Sequence, residues 1–356
     1  MRIAVIGAGA IGTVIGALIA QKGGDIQLVD AFEENVKALN AQGATITGTY
    51  ELQVPVRAVT PDRMTGTYDL VFLTTKQTAN QQVLAHLLPF LKADSTVVTL
   101  QNGVPEESVA QIVGMERTVG GTVGFGATWL APGVTRLTST ERVMNHFAFD
   151  IGEMNGEITP RIKEIRSVLS WVGHTTVLDN FMGVRWSKLL MNATFSGMSA
   201  ALGCTFGEVL NHEEGMVYLA HIADETIKVA RACGIRMAEM QGKDFTQLEL
   251  SCEADVQDKL SFYHEVWDQH SQLKASMLQD LEKKQPTEVG FINGYVSQKG
   301  RERGISTPYN DMVIAIVRTA EANGSTNKAM AALGQFQVLH RALRNAEKTQ
   351  TKGDSQ

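Results

Sequence analysis

The chain has 356 residues, of which 44% are hydrophobic and 20% are charged, and its formal net charge is −6. A single hydrophobic core seldom serves a chain of this length, so two globular domains are expected. The negative charge argues against a nucleic-acid-binding surface, which needs a concentrated excess of Lys and Arg, and it favours a small-molecule partner.

The spacing of cysteines and histidines predicts neither disulfides nor a metal site. The cysteines are Cys204, Cys233 and Cys252. They are odd in number and far apart, so we expect reduced thiols in a cytoplasmic protein. The histidines have no HxxH or HxxxH spacing, which argues against a bound metal. The first residues are predicted to form a strand, so we expect no signal peptide there, and no apolar run is long enough to predict a membrane span.

In the first 180 residues, short apolar runs alternate with helical patterns, which is typical of βαβ units around a parallel sheet. The runs predicted as strands are Ile3–Ile6, Ile26–Val29, Leu70–Leu73 and Thr96–Leu100. Between Arg117 and Gly152, glycine and β-branched residues predict further strands and a hairpin that complete this sheet. We therefore expect an α/β fold that opens with a doubly wound, dinucleotide-binding Rossmann domain over residues 1–180.

The second half has mainly helical periodicity and predicts an α-helical substrate and dimerisation domain over residues 181–345. Glu213–Cys233 has an amphipathic stripe and is followed by Gly234, which predicts one long helix. The polar segment Asp244–Gln272 is expected to form a helical insertion or lid outside the core. Residues 346–356 lack periodicity and predict a disordered, solvated tail.

The first strand leads into a glycine-rich turn and a helix predicted over Thr13–Gln21. The turn matches the G-x-G-x-x-G fingerprint and reads Gly7-Ala8-Gly9-Ala10-Ile11-Gly12. In this fingerprint Gly7 permits the tight turn, Gly9 lets a pyrophosphate approach the backbone N–H groups, and Gly12 lets helix and strand pack closely. The strand before the turn and the helix after it favour a dinucleotide site over a glycine turn without a ligand.

Asp30 closes the second strand, where a carboxylate accepts hydrogen bonds from the adenosine ribose of NAD. No Arg or Lys follows before Lys37 to neutralise the 2′-phosphate of NADP. We therefore expect NAD(H) to be preferred, with NADP(H) as the other possible cofactor. The alternative is that Asp30 is a turn or helix-capping residue.

Four further segments, read with the glycine turn, carry a family resemblance. They are Leu73-Thr74-Thr75-Lys76-Gln77, Gln101-Asn102-Gly103-Val104, Arg185-Trp186-Ser187-Lys188-Leu189-Leu190-Met191-Asn192, and Ser276-Met277-Leu278-Gln279-Asp280 leading to Thr287-Glu288. In this order they resemble the ketopantoate reductase family, from Met1 to about Ala342. The resemblance implies a homodimeric oxidoreductase with a Rossmann domain and a helical domain, which reduces a 2-oxo acid to a 2-hydroxy acid.

The resemblance also implies the roles of individual residues. Lys76, Asn102 and Gly126 would hold the cofactor, and Asn102 would also face the substrate; by themselves Lys76 and Asn102 are typical of loop residues.

On the helical domain, Lys188 would donate the proton, and Asn192, one helical turn later, would bind substrate oxygens. Ser276 would bind the substrate carboxylate, while Glu288 would lie by the nicotinamide ribose and orient Lys188. Without the resemblance, Lys188 is typical of an ordinary helix lysine, Ser276 of an N-cap and Glu288 of a solvated acid. Asp280 is an alternative partner for Lys188.

Two positions depart from the family pattern, Ser196 and Phe206, where polar side chains of longer reach are common. Ser196 remains a candidate substrate ligand, while Phe206 adds apolar area and favours a less hydroxylated substrate. The leading hypothesis is reduction of ketopantoate (2-dehydropantoate) to (R)-pantoate with NADH. The alternative is an NAD-dependent D-2-hydroxyacid dehydrogenase of mandelate or branched-chain type, and a minor one is a non-catalytic NAD-binding protein.

Overall fold

The computed structural model describes residues 1–240 and 242–353. The chain divides into two compact units, Met1–Phe181 and the residues from Met182 onward. This division lies next to residue 180, where the sequence predicts the end of the first domain.

The first unit is built around a large, mostly parallel sheet. Its strands are β1 (Ile3–Ile6), β2 (Ile26–Val29), β3 (Ala44–Gly48), β4 (Leu52–Val54), β5 (Ala58–Val59), β6 (Tyr68–Leu73), β7 (Leu91–Thr99), β8 (Thr118–Val123), β9 (Ala127–Ala131), β10 (Val134–Leu137), β11 (Phe149–Gly152) and β12 (Thr175–Val177). The main sheet has the order β12-β11-β8-β7-β6-β1-β2-β5. From β5 to β8 neighbouring strands are parallel, and β11 runs antiparallel to β8. The four strands predicted from apolar runs therefore form the centre of this sheet, as expected for a Rossmann fold.

The sequence predicts that the β9–β10 hairpin completes the main sheet, and this prediction is wrong. The hairpin belongs to a second sheet of order β4-β3-β10-β9. β10 pairs in parallel with β3, Val134 lying opposite Thr45. The middle of β9 is exposed at three successive residues, which suits an edge strand and not a strand covered on both faces. A β-branched run specifies a strand but leaves open which sheet edge it joins.

Six helices are described in the first unit: α1 (Ala10–Gln21), α2 (Glu33–Gln42), α3 (Asn80–Leu87), α4 (Glu106–Val113), α5 (Glu141–His146) and α6 (Pro160–Leu169). Helix α1 begins three residues before the predicted Thr13, because Gly9 already serves as its extended N-cap. Its glycines allow close packing on the sheet: a Cβ on Gly16 would lie 2.6 Å from a methyl carbon of Leu28.

The described part of the second unit is helical, as predicted. Its helices are α7 (Phe181–Met191), α8 (Gly197–Leu202), α9 (Phe206–Leu210), α10 (Glu213–Ala232), α11 (Asp255–Trp267), α12 (Ser276–Glu282), α13 (Asn293–Arg303), α14 (Pro308–Asn323) and α15 (Leu333–Gly353). Helix α10 confirms the predicted long helix, and Gly234 follows it with a φ of 73°. Among the described residues, no helix is both long and apolar enough to cross a membrane.

The segment Asp244–Gln272 is part of the core of the second unit and not a lid. Tyr263 and Trp267 on α11 are buried together with Phe245. Trp267 stacks on Phe195 with ring centroids 4.5 Å apart. The polar residues that suggested a lid occupy the outer face of α11, while the aromatic residues at positions 263 and 267 share its inner face.

The last helix extends into the segment that was predicted to be a disordered tail. Residues 346–353 continue α15, and residues 354–356 lie outside the described residues. The segment contains no proline, and each residue added to an existing helix gains one backbone hydrogen bond.

Candidate active site

The glycine turn is tight at Gly7 and Gly12 and open at Gly9. Gly7 has a φ of 100°, and a Cβ there would lie 2.8 Å from Cγ2 of Thr75. A Cβ on Gly12 would lie 2.0 Å from the carbonyl oxygen of Gly7, whereas one on Gly9 would meet no protein atom within 4 Å. Gly7 and Gly12 are therefore required by the fold itself, and Gly9 keeps the backbone open to a ligand at the start of α1.

Side chains that sequence reasoning did not single out orient the peptide groups of this turn. Thr74 Oγ1 donates to the Gly7 carbonyl at 2.7 Å. Thr13 Oγ1 and Asn35 Nδ2 both donate to the Ala8 carbonyl at 2.9 Å. These bonds fix the direction of the turn's carbonyls, and hence of its amide groups. Thr74 lies in a segment that carries the family resemblance, but Asn35 gives no local signal.

Asp30 follows β2 and has a fixed carboxylate. Its Oδ1 accepts from the Phe32 backbone N–H at 2.8 Å, and its Oδ2 accepts from Asn35 Nδ2 at 3.4 Å. The next cation, Lys37, pairs with Glu33 at 3.0 Å. Asp30 is thus a turn aspartate, yet its oxygens retain lone pairs that ribose hydroxyls can use.

The loops of Lys76 and Asn102 follow the adjacent parallel strands β6 and β7 and are tied to each other. Gln77 Nε2 donates to the Asn102 carbonyl at 2.5 Å, and Gln101 Nε2 donates to the Thr75 carbonyl at 2.7 Å. The structure thus brings two of the predicted cofactor residues together at the carboxyl edge of the sheet, the usual ligand edge of such folds.

Both backbone polar groups of Gly126 form hydrogen bonds within the protein. Its N–H donates to Ser139 Oγ at 2.8 Å, and its carbonyl accepts from the Thr138 N–H at 3.0 Å. Any backbone contact from Gly126 to a cofactor therefore has to come from the second lone pair of its carbonyl.

In the second unit, Lys188 lies on α7, which runs directly into a π-helical turn over Asn192–Ser196. Lys188, Asn192 and Ser196 are half-buried, whereas residues 193–195 between the last two are buried. Asn192 Nδ2 is buried and has no hydrogen-bond partner in the part of the chain that the structure describes. A buried amide donor without a partner is costly, which is consistent with a ligand that supplies the acceptor.

Two predicted residues come from other elements of this unit. Ser276 is the exposed first residue of α12, and α12 packs against α8 and the π turn. The backbone N–H of Ala275 donates to Ser199 Oγ on α8 at 3.3 Å. Glu288 is buried in the turn before α13, next to Thr287, whose N–H donates to Glu321. The structure therefore groups Ser276 with the π turn and places Glu288 on a separate loop.

Phe206 begins α9 and lies half-buried against Phe195 of the π turn, with ring centroids 5.6 Å apart. Its N–H donates to the Leu273 carbonyl, in the loop that leads to α12. An aromatic surface therefore adjoins the π turn at the position where the sequence departs from the family pattern.

Two family models match the chain. The model described as ketopantoate reductase PanE/ApbA matches residues 3–150, and its C-terminal counterpart matches residues 180–321. The chain belongs to the ketopantoate reductase family. It is 28% identical to 2-dehydropantoate 2-reductase of Pyrococcus horikoshii over 331 residues, covering 92% of this chain and 100% of the relative. The enzyme of the same name from Streptococcus pyogenes is 27% identical to this chain. The match covers 90% of this chain and 98% of the relative.

Solved structures share the fold of this ketopantoate reductase family member. D-mandelate dehydrogenase with NADH and anilino(oxo)acetate has a TM-score of 0.77 at 24% identity, over 91% of this chain and 99% of the other. A ketopantoate reductase from Ralstonia eutropha JMP134 has a TM-score of 0.77 at 23% identity, with the same coverage. The chain is accordingly an oxidoreductase that acts on a CH–OH group or ketone with a nicotinamide cofactor.

Proposed function

We propose that the protein reduces a 2-oxo acid to the 2-hydroxy acid with NADH. The observation that carries this proposal is the half-buried stripe of Lys188, Asn192 and Ser196, in which the buried Asn192 Nδ2 has no partner among the described residues. The glycine turn of the first unit fits the cofactor, since a Cβ on Gly9 would meet no protein atom.

In the proposed reaction the Lys188 ammonium both donates a proton and supplies a positive charge. The bound dihydronicotinamide supplies the hydride that adds to the ketone carbon. Lys188 donates a proton to the ketone oxygen, and its positive charge stabilises the alkoxide that develops there. Asn192 donates a hydrogen bond to a substrate oxygen, and the Ser276 hydroxyl donates to the carboxylate. Hydride and proton together convert the C=O group into CH–OH, so the reaction balances.

Glu288 and Lys76 complete the proposed assignments. Glu288 is the acid proposed to orient Lys188 and to accept from the nicotinamide ribose, and its burial suits a carboxylate with a fixed task. Lys76 is exposed on the loop after β6, where its ammonium can reach cofactor phosphate or ribose oxygens. Asn102 on the neighbouring loop is proposed to contact cofactor and substrate.

The proposed preference for NADH rests on Asp30. A 2′-phosphate would bring a dianion against this half-buried carboxylate, and the nearest cation on α2, Lys37, is paired with Glu33. NADPH is therefore expected to be the poorer cofactor.

Ketopantoate is the first substrate to test, because the relatives with that activity in their names match the chain over nearly their whole length. Phe206 beside Phe195 favours a second candidate, an aromatic or branched 2-oxo acid without a hydroxyl group. The name of one structural neighbour, D-mandelate dehydrogenase, points the same way.

The test is a turnover panel of ketopantoate, benzoylformate and 2-ketoisovalerate, each with NADH and with NADPH. Highest kcat/KM for ketopantoate supports the first candidate, and highest kcat/KM for either of the others supports the second. Tight NADH binding without turnover of any 2-oxo acid would instead leave a non-catalytic NAD-binding protein. The same preparations can be tested for the proposed homodimer by light scattering, since a relative from Staphylococcus aureus is described as dimeric.

A further inference from the structure

The chain switches from α- to π-helical geometry immediately after the proposed proton donor. Over Asn192–Ser196 the turn is π-helical, and the Gly197 N–H donates to the Asn192 carbonyl, five residues back. Such turns are rare and often occur at functional sites.

The π turn keeps three polar residues on one face. Four residues advance an α-helix by about 40° more than a full turn, so residues spaced by four drift around the helix. A turn closed by i→i+5 bonds holds more residues, so each one rotates the chain less and the drift is reduced. Lys188, Asn192 and Ser196 accordingly share the half-buried side, while residues 193–195 are buried. Serine at 196 can thus face the same ligand as Lys188.

Asn293, 100 positions further along the chain, bonds to the inside of this turn. Its Nδ2 donates to the Ala193 carbonyl at 2.9 Å and to Asn310 Oδ1 at 2.9 Å. Asn310 Nδ2 in turn donates to Glu225 Oε2 at 2.7 Å. These three side chains lie on α13, α14 and α10, so the π turn is linked by a polar chain to three long helices.

Glu225 anchors the far end of this chain. It is buried, and its two oxygens accept from the backbone N–H groups of Tyr309 and Asn310, each at 2.9 Å. Burial raises the pKa of Glu225 to about 8, and these N–H donors act in the opposite direction. With three donors on two oxygens, Glu225 fixes the start of α14 and, through it, the Asn310 amide.

The oxygen of the Asn293 amide is left unsatisfied within the described part of the chain. Its residue is completely buried, and its Oδ1 has no hydrogen-bond partner. An unsatisfied buried acceptor costs about 1–3 kcal/mol. Gly197 leaves room for this amide, because a Cβ there would lie 2.9 Å from Asn293 Oδ1. The Asn293 side chain therefore uses its two N–H donors on the π turn and on Asn310, and leaves its own acceptor unused.

We propose that the buried chain Glu225–Asn310–Asn293 maintains the π turn and thereby positions Asn192 and Ser196 toward the 2-oxo acid. Asn293 is then a positioning residue that acts through the Ala193 carbonyl and touches neither substrate nor cofactor. The inference rests on the proposed function, since it assigns the turn to substrate binding.

The decisive variant is Asn293→Ala, which removes the donor to the Ala193 carbonyl. We expect kcat to fall at least tenfold and KM for the 2-oxo acid to rise several-fold, with Kd for NADH within twofold of the wild type. The matched control is Ser297→Ala on the same helix, one turn later, because Ser297 is also buried and its Oγ has no partner. Unchanged kcat and KM in folded Asn293→Ala protein would overturn the proposal.

A second variant covers the case in which Asn293→Ala does not fold. Gly197→Ala removes no polar group but presses a methyl group against the Asn293 amide, so we expect the same fall in kcat with unchanged NADH binding. Its control is Gly334→Ala on α15, where a Cβ meets no atom within 4 Å and activity should stay at the wild-type level. Wild-type kinetics in Gly197→Ala would contradict the proposal.

Amide hydrogen exchange separates this inference from the proposed function. In Asn293→Ala the Gly197 N–H should exchange at least tenfold faster than in the wild type and in Ser297→Ala, whether or not a substrate is known. Unchanged exchange at Gly197 would overturn the role of Asn293, whereas a wild-type protein without any 2-oxo acid turnover would overturn the proposed function instead.

Discussion

Lys188 has surroundings that suit a proton donor. It is half-buried, while Ser187 and Leu189 on either side are buried. Partial burial strengthens the electrostatic interaction of an ammonium with a developing negative charge, because less water screens it. Ser187 Oγ donates to the Gly183 and Ala238 carbonyls, which holds α7 in place around the lysine.

Replacing Lys188 by alanine should lower kcat by at least about 100-fold, the usual contribution of a positioned general acid. Because the lysine is proposed to act on the substrate and not on the cofactor, Kd for NADH should change less than threefold. Steady-state kinetics and a fluorescence titration with NADH measure the two values. Lys228→Ala, at a lysine of α10 paired with Asp224, is the control, and an unchanged kcat in Lys188→Ala would remove Lys188 from the mechanism.

Replacing Asp30 by serine should lower kcat/KM with NADH by roughly 10- to 100-fold, because hydrogen bonds to a charged group contribute about 1.5–3 kcal/mol. With NADPH the loss should be smaller, since the repulsion of the 2′-phosphate also disappears. The ratio of kcat/KM values for the two cofactors reports both effects. Glu34→Gln, at an exposed acid in the first turn of α2, should leave this ratio unchanged; an equal fall for both cofactors in Asp30→Ser would argue for a turn-forming role alone.

Helix α11 shows how an element with polar composition can belong to a core. Its inner face carries Tyr263 and Trp267, and Trp267 stacks at 4.5 Å on Phe195 of the π turn. The same aromatic group includes Phe245, whose ring meets Trp267 edge-on at 5.8 Å. The segment predicted as a lid therefore supports the element that carries the proposed substrate residues.

Trp267→Ala should destabilise the second unit by about 3–5 kcal/mol, the usual effect of removing a large buried aromatic side chain. For a unit of this size the melting temperature should fall by about 10 °C. Differential scanning calorimetry measures the change. Trp171→Ala, at a tryptophan that is 40% exposed, should show a much smaller fall. A melting temperature close to that of the wild type for Trp267→Ala would favour the lid interpretation.

Across the protein as a whole, stability should depend on pH through a half-buried histidine, His221. His221 lies parallel to the ring of Tyr309 at 4.5 Å, and its Nε2 has no hydrogen-bond partner. Burial, together with the nearby His340 and Lys228, lowers the pKa of His221 to about 4, while Glu253 acts in the opposite direction. The folded state therefore favours the neutral imidazole. Since the folded pKa lies below the ordinary value of 6.5, the stability that depends on the neutral ring is fully present above pH 6.5 and is lost as the pH falls toward 4.

The variant that tests this is His221→Phe, which keeps a ring against Tyr309 and carries no proton. Its melting temperature should fall less than that of the wild type between pH 7 and pH 5. Parallel melting curves at each pH measure the difference, and identical pH dependence in the two proteins would show that another group dominates acid unfolding.

Local sequence patterns were sufficient to predict the central elements of the first unit. The glycine turn and the central strands were predicted correctly, because turn geometry and apolar runs depend on residues adjacent in the chain, whereas the role of Asp30 stays a prediction. The long helix α10 was predicted for the same reason, from its stripe of apolar residues and the glycine that follows it.

The remaining features depend on residues far apart in sequence. The β9–β10 hairpin joined β3 instead of the main sheet, and α11 entered the core, because a strand or an amphipathic helix does not specify its partner. The bond from Asn293 to Ala193 joins positions 100 residues apart. The sequence by itself therefore determined the family, the glycine turn and which residues are candidates for the site. Only the folded chain, by bringing distant side chains into contact, set the geometry of the π turn that carries Asn192 and Ser196.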